Sequence, residues 1–118
     1  MKPVPQYDDR RIVFEKVEQY PEFIGGVAEW KKYLQKNLDA TLPSKEGWKA
    51  GTYQITVRFI VEKDGSINDV TTTDYVNSKT ANQCIDLIKK GPKWQPAKQN
   101  GHIVTAYRNQ PITFLVSE

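Results

Sequence analysis

The 118-residue sequence contains one cysteine, Cys84, and one histidine, His102. A lone thiol cannot form an internal disulfide, and the lack of disulfides leaves the compartment open. Cys84 falls in a helical pattern and reads as core filling rather than as a nucleophile. His102 follows the turn Asn100-Gly101 with no cysteine or carboxylate at ligand spacing, which argues against a metal site, since zinc needs three or four ligands. Asp64, Asp69 and Asp74 lack the closing glutamate of a calcium loop. Ser44, Ser66, Ser78 and Ser117 lack a nucleophile-elbow context. Gly25-Gly26 lacks both the Walker and the dinucleotide glycine spacing. No run approaches the roughly 18 apolar residues of a transmembrane helix, and the start has no signal-peptide stretch. Met1 is expected to open a chain from which a targeting segment has been removed, rather than a cytosolic protein. Charge of one sign is also missing: 17 basic and 14 acidic residues are mixed along the chain for a net +3, a solvated surface and not a nucleic-acid footprint. The expectation is no enzyme, no cofactor and no metal.

What is present suits one domain. The composition is 38% hydrophobic, with three Trp, six Tyr and four Phe, enough for a core without a staple. Residues 1–11, with Pro3-Val4-Pro5 and Asp8-Asp9-Arg10-Arg11, read as a linker stub, and residues 12–118 as the folded unit. Ile12 to Val17 suggests a short first strand, ended by Tyr20-Pro21. Gly25-Gly26 turns the chain into a helix whose apolar positions are 27, 30, 34 and 38. Leu42 to Gly51 reads as a loop that pins Trp48.

Tyr53, Ile55, Val57, Phe59 and Val61 alternate with polar residues and predict a half-buried strand. Asp64-Gly65 predicts a two-residue type I′ turn, with Phe59 facing Val70 and with Ile60 and Ile67 on the opposite face. A second helix starts at Ser78 or Thr80, buries Ala81, Cys84, Ile85 and Ile88, and stops at Gly91-Pro92. A final extended stretch, Ile103 to Val116, contains Pro111, which implies a bulge or a sheet edge. The expected fold is α+β: an antiparallel sheet of three to four strands with two helices packed on one face.

Gly51-Thr52, Val57-x-Phe59-x-Val61, Asp64-Gly65-Ser66-Ile67, Lys93-Trp94-x-Pro96, Gly101 and Gln110-Pro111-Ile112-Thr113-Phe114 together resemble the C-terminal domain of TonB energy transducers. Val13 to Gly26 is similar to an extension carried by one branch of that family. The chain departs from the family pattern at Leu42-Pro43, Thr80-Ala81, Cys84 and Thr73-Asp74-Tyr75-Val76. The resemblance implies a periplasmic domain, anchored to the inner membrane through an N-terminal part that meets a proton-driven motor complex. It also implies a partner, the box peptide of an outer-membrane TonB-dependent transporter, captured by β-strand addition. Pro3-Val4-Pro5 is consistent with the end of a spacer. Strand exchange in a homodimer is left open. The alternative is a TonB-like periplasmic binding or sensor module, for a peptide or cell-wall ligand, without energy transduction. An RNA-binding sheet is disfavoured because Val57-Arg58-Phe59-Ile60-Val61 lacks the aromatic signature.

The expected contact strand is Thr105 to Leu115, because an edge strand offers unpaired N–H and C=O groups. Tyr107, Arg108 and Gln110 are expected as exposed side chains reading the peptide. Ile112, Thr113, Phe114 and Leu115 are expected to carry the backbone ladder, with Phe114 itself pointing into the core.

Overall fold

The computed structural model describes residues 12–118. The linker stub assigned to residues 1–11 lies outside the described residues. Seven strands and three helices follow in order: β1 Glu22–Phe23, α1 Gly26–Asn37, α2 Leu42–Lys45, β2 Gly51–Val61, β3 Ile67–Thr72, α3 Lys79–Lys89, β4 Trp94–Gln95, β5 Ala97–Gln99, β6 His102–Val104 and β7 Ala106–Val116. The main sheet is antiparallel with strand order β3-β2-β7. Two small pairs, β1 with β4 and β5 with β6, stand beside it. The α+β expectation holds, with three strands in the principal sheet.

The alternation in β2 does what its chemistry requires. Ile55, Val57, Phe59 and Val61 are buried and meet Ala81, Cys84, Leu87 and Ile88 of α3, together with Trp30 of α1 and Trp94. The Tyr33 hydroxyl of α1 donates to the Leu87 carbonyl of α3 at 2.6 Å, which fastens the two helices to each other on this face. Gly25 and Gly26 have φ of 89° and 83°, values that L side chains avoid, so the chain can turn there into α1. Ser78 is the N-cap of α3, its hydroxyl accepting from the Ala81 amide at 2.9 Å. Thr80 lies inside the first turn instead, fully buried and bonded to the Glu46 carboxylate. Gln83 does not close a capping box; it grips both the amide and the carbonyl of Asp39.

Three expectations are corrected. The Asp64-Gly65 turn is a three-residue loop: the Glu62 amide donates to the Ser66 carbonyl, the Gly65 amide donates to the Glu62 carbonyl, and only Gly65 has positive φ (88°). That moves Ile67 opposite Val61, so Ile67 packs against the core rather than behind the sheet. A bulge between Arg58 and Ile60, with Asp69 at φ 53°, then restores the expected register and keeps Val70 on the core side too. Second, Ile12 to Val17 forms no strand, and only Phe14 makes a bridge, to Ala106. Glu15 immediately beyond it reaches Arg58 in an ion pair at 3.0 Å. Third, the supposed loop around Pro43 contains α2, with proline at the start of the helix where its missing N–H costs nothing. Trp48 is pinned as expected, its ring tilted against Tyr53 at 4.9 Å and against Tyr75 at 4.8 Å between centroids.

Candidate functional site at the open edge of β7

β7 pairs with β2 from Ala106 through Val116 without a bulge, and among the described residues no strand lies on its other side beyond Tyr107. Its orientation follows from two hydrogen bonds. The Phe14 amide donates to the Thr105 carbonyl at 2.9 Å, and the Tyr107 amide donates to the Phe14 carbonyl at 3.0 Å. Both bonds lie on the side away from β2. Because alternate residues of an antiparallel strand direct their N–H and C=O to the same side, Asn109, Pro111, Thr113 and Leu115 also point outward, while Arg108, Gln110, Ile112 and Phe114 point to β2.

An independent bond pair agrees. Thr56, opposite Pro111, spends its amide on Asp74 Oδ2 at 3.1 Å and its carbonyl on the Thr73 amide at 3.3 Å, both toward β3. Pro111 therefore costs the β2 ladder nothing, because its missing N–H faces the open side. It marks an edge, not a bulge.

Phe14 occupies the start of that edge. From Asn109 onward it is open among the described residues, with one further obstruction: the Pro111 carbonyl accepts from Gln110 Nε2 at 3.0 Å. The groups left for a partner are the Tyr107 carbonyl and both groups of Asn109, Thr113 and Leu115. Leu115 is 76% exposed, which is unusual for a leucine on an eleven-residue strand.

The predicted contact residues are thus sorted by parity. Thr113 and Leu115 turn their backbone groups to the open side. Ile112 and Phe114 are buried; Phe114 points into the core as expected, and the ladder bonds of both run to β2, so neither presents backbone to a partner. Thr105 is buried and its carbonyl is already taken by Phe14. Tyr107 is half-buried on the solvent face, with the Arg58 guanidinium 3.8 Å above its ring, and lies opposite Ile60, the buried residue of that face.

Arg108 and Gln110 do not stand free as readers: they point to the helix side, where Gln110 is 8% exposed and Arg108 is half-buried. Arg108 Nη2 donates to Gln110 Oε1 at 2.8 Å, and its guanidinium lies 5.9 Å from the Trp94 ring. Burial pushes its pKa down and the Glu22 carboxylate partly restores it; the Nε–H is enclosed and has no hydrogen-bond partner among the described residues. Asn109 was missed. The signal for it was present: a proline in a paired strand must turn its empty N toward the open side, which fixes 109, 113 and 115 as the outward set.

Among the described residues no group of His, Cys, Asp and Glu could hold a metal. The Cys84 thiol is buried and its pKa is pushed up to about 12.

The family of the Gram-negative bacterial TonB protein C-terminal matches residues 51–116, more than half of the chain. The chain belongs to the TonB C-terminal family. The match spans β2 through β7, so the TonB-like part holds the whole main sheet and its open edge, while α1, α2 and the bridge at Phe14 precede it. No curated protein and no solved structure matches the chain.

Proposed function

We propose that this TonB-family domain captures the box peptide of an outer-membrane transporter as an added strand on β7, coupling it to the inner membrane. The observation that supports this most is the unpaired row at Asn109, Thr113 and Leu115 on the last strand of a family domain. Natural sheets usually cover or blunt such a row unless a partner uses it. Each bond made there is worth about 0.5–1.5 kcal/mol net, so about five or six of them together with a few side-chain contacts reach roughly micromolar affinity, near −8 kcal/mol, once ordering costs are subtracted. Backbone pairing tolerates many box sequences, which suits a transducer that serves several transporters.

On this reading the domain works in the periplasm and binds without catalysing. Residues 12–118 form the binding unit and the residues before them end a spacer. Among the described residues no helix is long and apolar enough to cross a membrane, so the reading calls for an anchor and a motor contact supplied by another segment.

The experiment is built on strand parity. Thr113→Pro removes an outward N–H and leaves the β2 ladder intact, as Pro111 already does. The variant is expected to keep its far-UV spectrum while its affinity for a transporter box peptide falls about two- to tenfold, the worth of the one edge bond removed. Undiminished binding by the folded variant would remove β7 as the site.

A further inference from the structure

Beside the edge, on the helix side of the sheet, lies a cavity of about 200 Å³ lined by Glu22, Phe23, Val27, Trp30, Arg108 and Gln110. Its walls are joined from two parts of the chain. Phe23, Val27 and Trp30 come from β1 and α1, ahead of the family match, and Arg108 and Gln110 come from the edge strand itself. The cavity is too small for a typical small-molecule site, for which about 300–1,000 Å³ is usual, but it suits one large side chain. Phe23 and Trp30 are each only 8% exposed and form its floor, whereas Val27 is 70% exposed at its mouth.

Strand geometry says what would reach it. A peptide paired with Asn109 turns the side chain opposite Asn109 to the solvent face and turns its two neighbours to the helix face. Those neighbours stand opposite Arg108 and Gln110, the two β7 residues that line the cavity. We infer that the cavity is a side-chain subsite for the strand bound at β7, taking a bulky apolar residue, aromatic or branched aliphatic, next to the residue paired with Asn109. This rests on the edge-addition reading and adds selectivity to it.

The test uses a position-scanning library of strand-forming peptides as long as the open edge, with one position fixed at a time. It is run on the parent, on Val27→Trp, which fills the mouth from an exposed position, and on Thr113→Pro. The parent is expected to prefer Phe, Tyr, Leu or Ile over Ala at one position by about ten- to a hundredfold, the worth of burying one such side chain. Val27→Trp should abolish that preference and retain binding of the Ala peptides, and Thr113→Pro should weaken all peptides together. Binding without a positional preference, or a preference that survives Val27→Trp, overturns the subsite and leaves edge addition standing. Library binding that Thr113→Pro does not weaken overturns edge addition, and the subsite with it.

Discussion

Glu46 shows how one carboxylate ties two elements together. It sits at the end of α2 and accepts the amides of Lys79 and Thr80, at 2.8 and 2.7 Å, and the Thr80 hydroxyl. Burial raises its pKa, but these bonds and the charge of Lys79 outweigh it and hold the carboxyl below the ordinary glutamate value. The folded value being the lower one, this stabilisation is complete above the ordinary glutamate range and is lost as pH falls through the folded value. Urea midpoints of the parent and Glu46→Gln should differ at neutral pH and converge in acid. Ser78 gives a second expectation at this scale: Ser78→Ala should cost about 1 kcal/mol in urea unfolding by removing the cap of α3. The thiol of Cys84, raised to about 12 and enclosed, should stay unmodified by iodoacetamide at pH 8 until the protein is unfolded.

At the scale of elements, what could be read from the sequence follows how local the cause is. β2 was legible because alternation along one strand is a local pattern, and α3 because its apolar spacing and its Gly91-Pro92 stop are local too. The hairpin was misread by one residue. Asp-Gly suits a two-residue turn, and the three-residue loop wins because a tertiary contact fixes Gly65: the Trp94 amide donates to the Gly65 carbonyl at 2.9 Å. A Cβ on Gly65 would lie 2.3 Å from the Trp94 carbonyl oxygen, on backbone already at φ 88°. Gly65→Ala should therefore cost at least about 1–3 kcal/mol in chemical denaturation, from the backbone strain alone. The site was half legible. Thr113 and Leu115 lie on the outward parity of the proposed contact strand, whereas Arg108 and Gln110, expected to be exposed because they are polar, follow their parity to the helix side. Arg108 breaks the pattern by laying a cation beside Trp94 on the buried side. The front segment was illegible as structure, since isolated bridges at Phe14 and Gln19 have no periodicity.

At the scale of the molecule, the described residues leave β7 open from Asn109 onward and yet do not offer it to every comer. Phe14 covers one end and Pro111 interrupts the middle, both of which limit edge-to-edge pairing between copies. Pro111→Thr should lower monomer stability by no more than about 1 kcal/mol, since it regains no bond to β2, while sedimentation detects increased self-association at high concentration. The strand that would receive a load is also the one held most extensively. It is fastened to β2 from Gly51↔Val116 to Val61↔Ala106, with rungs that lie across the strand direction. A tug along the ribbon therefore strains every rung in shear together, so the grip on β7 behaves like a lap joint, firm along its length although a peel from one end would open it a rung at a time.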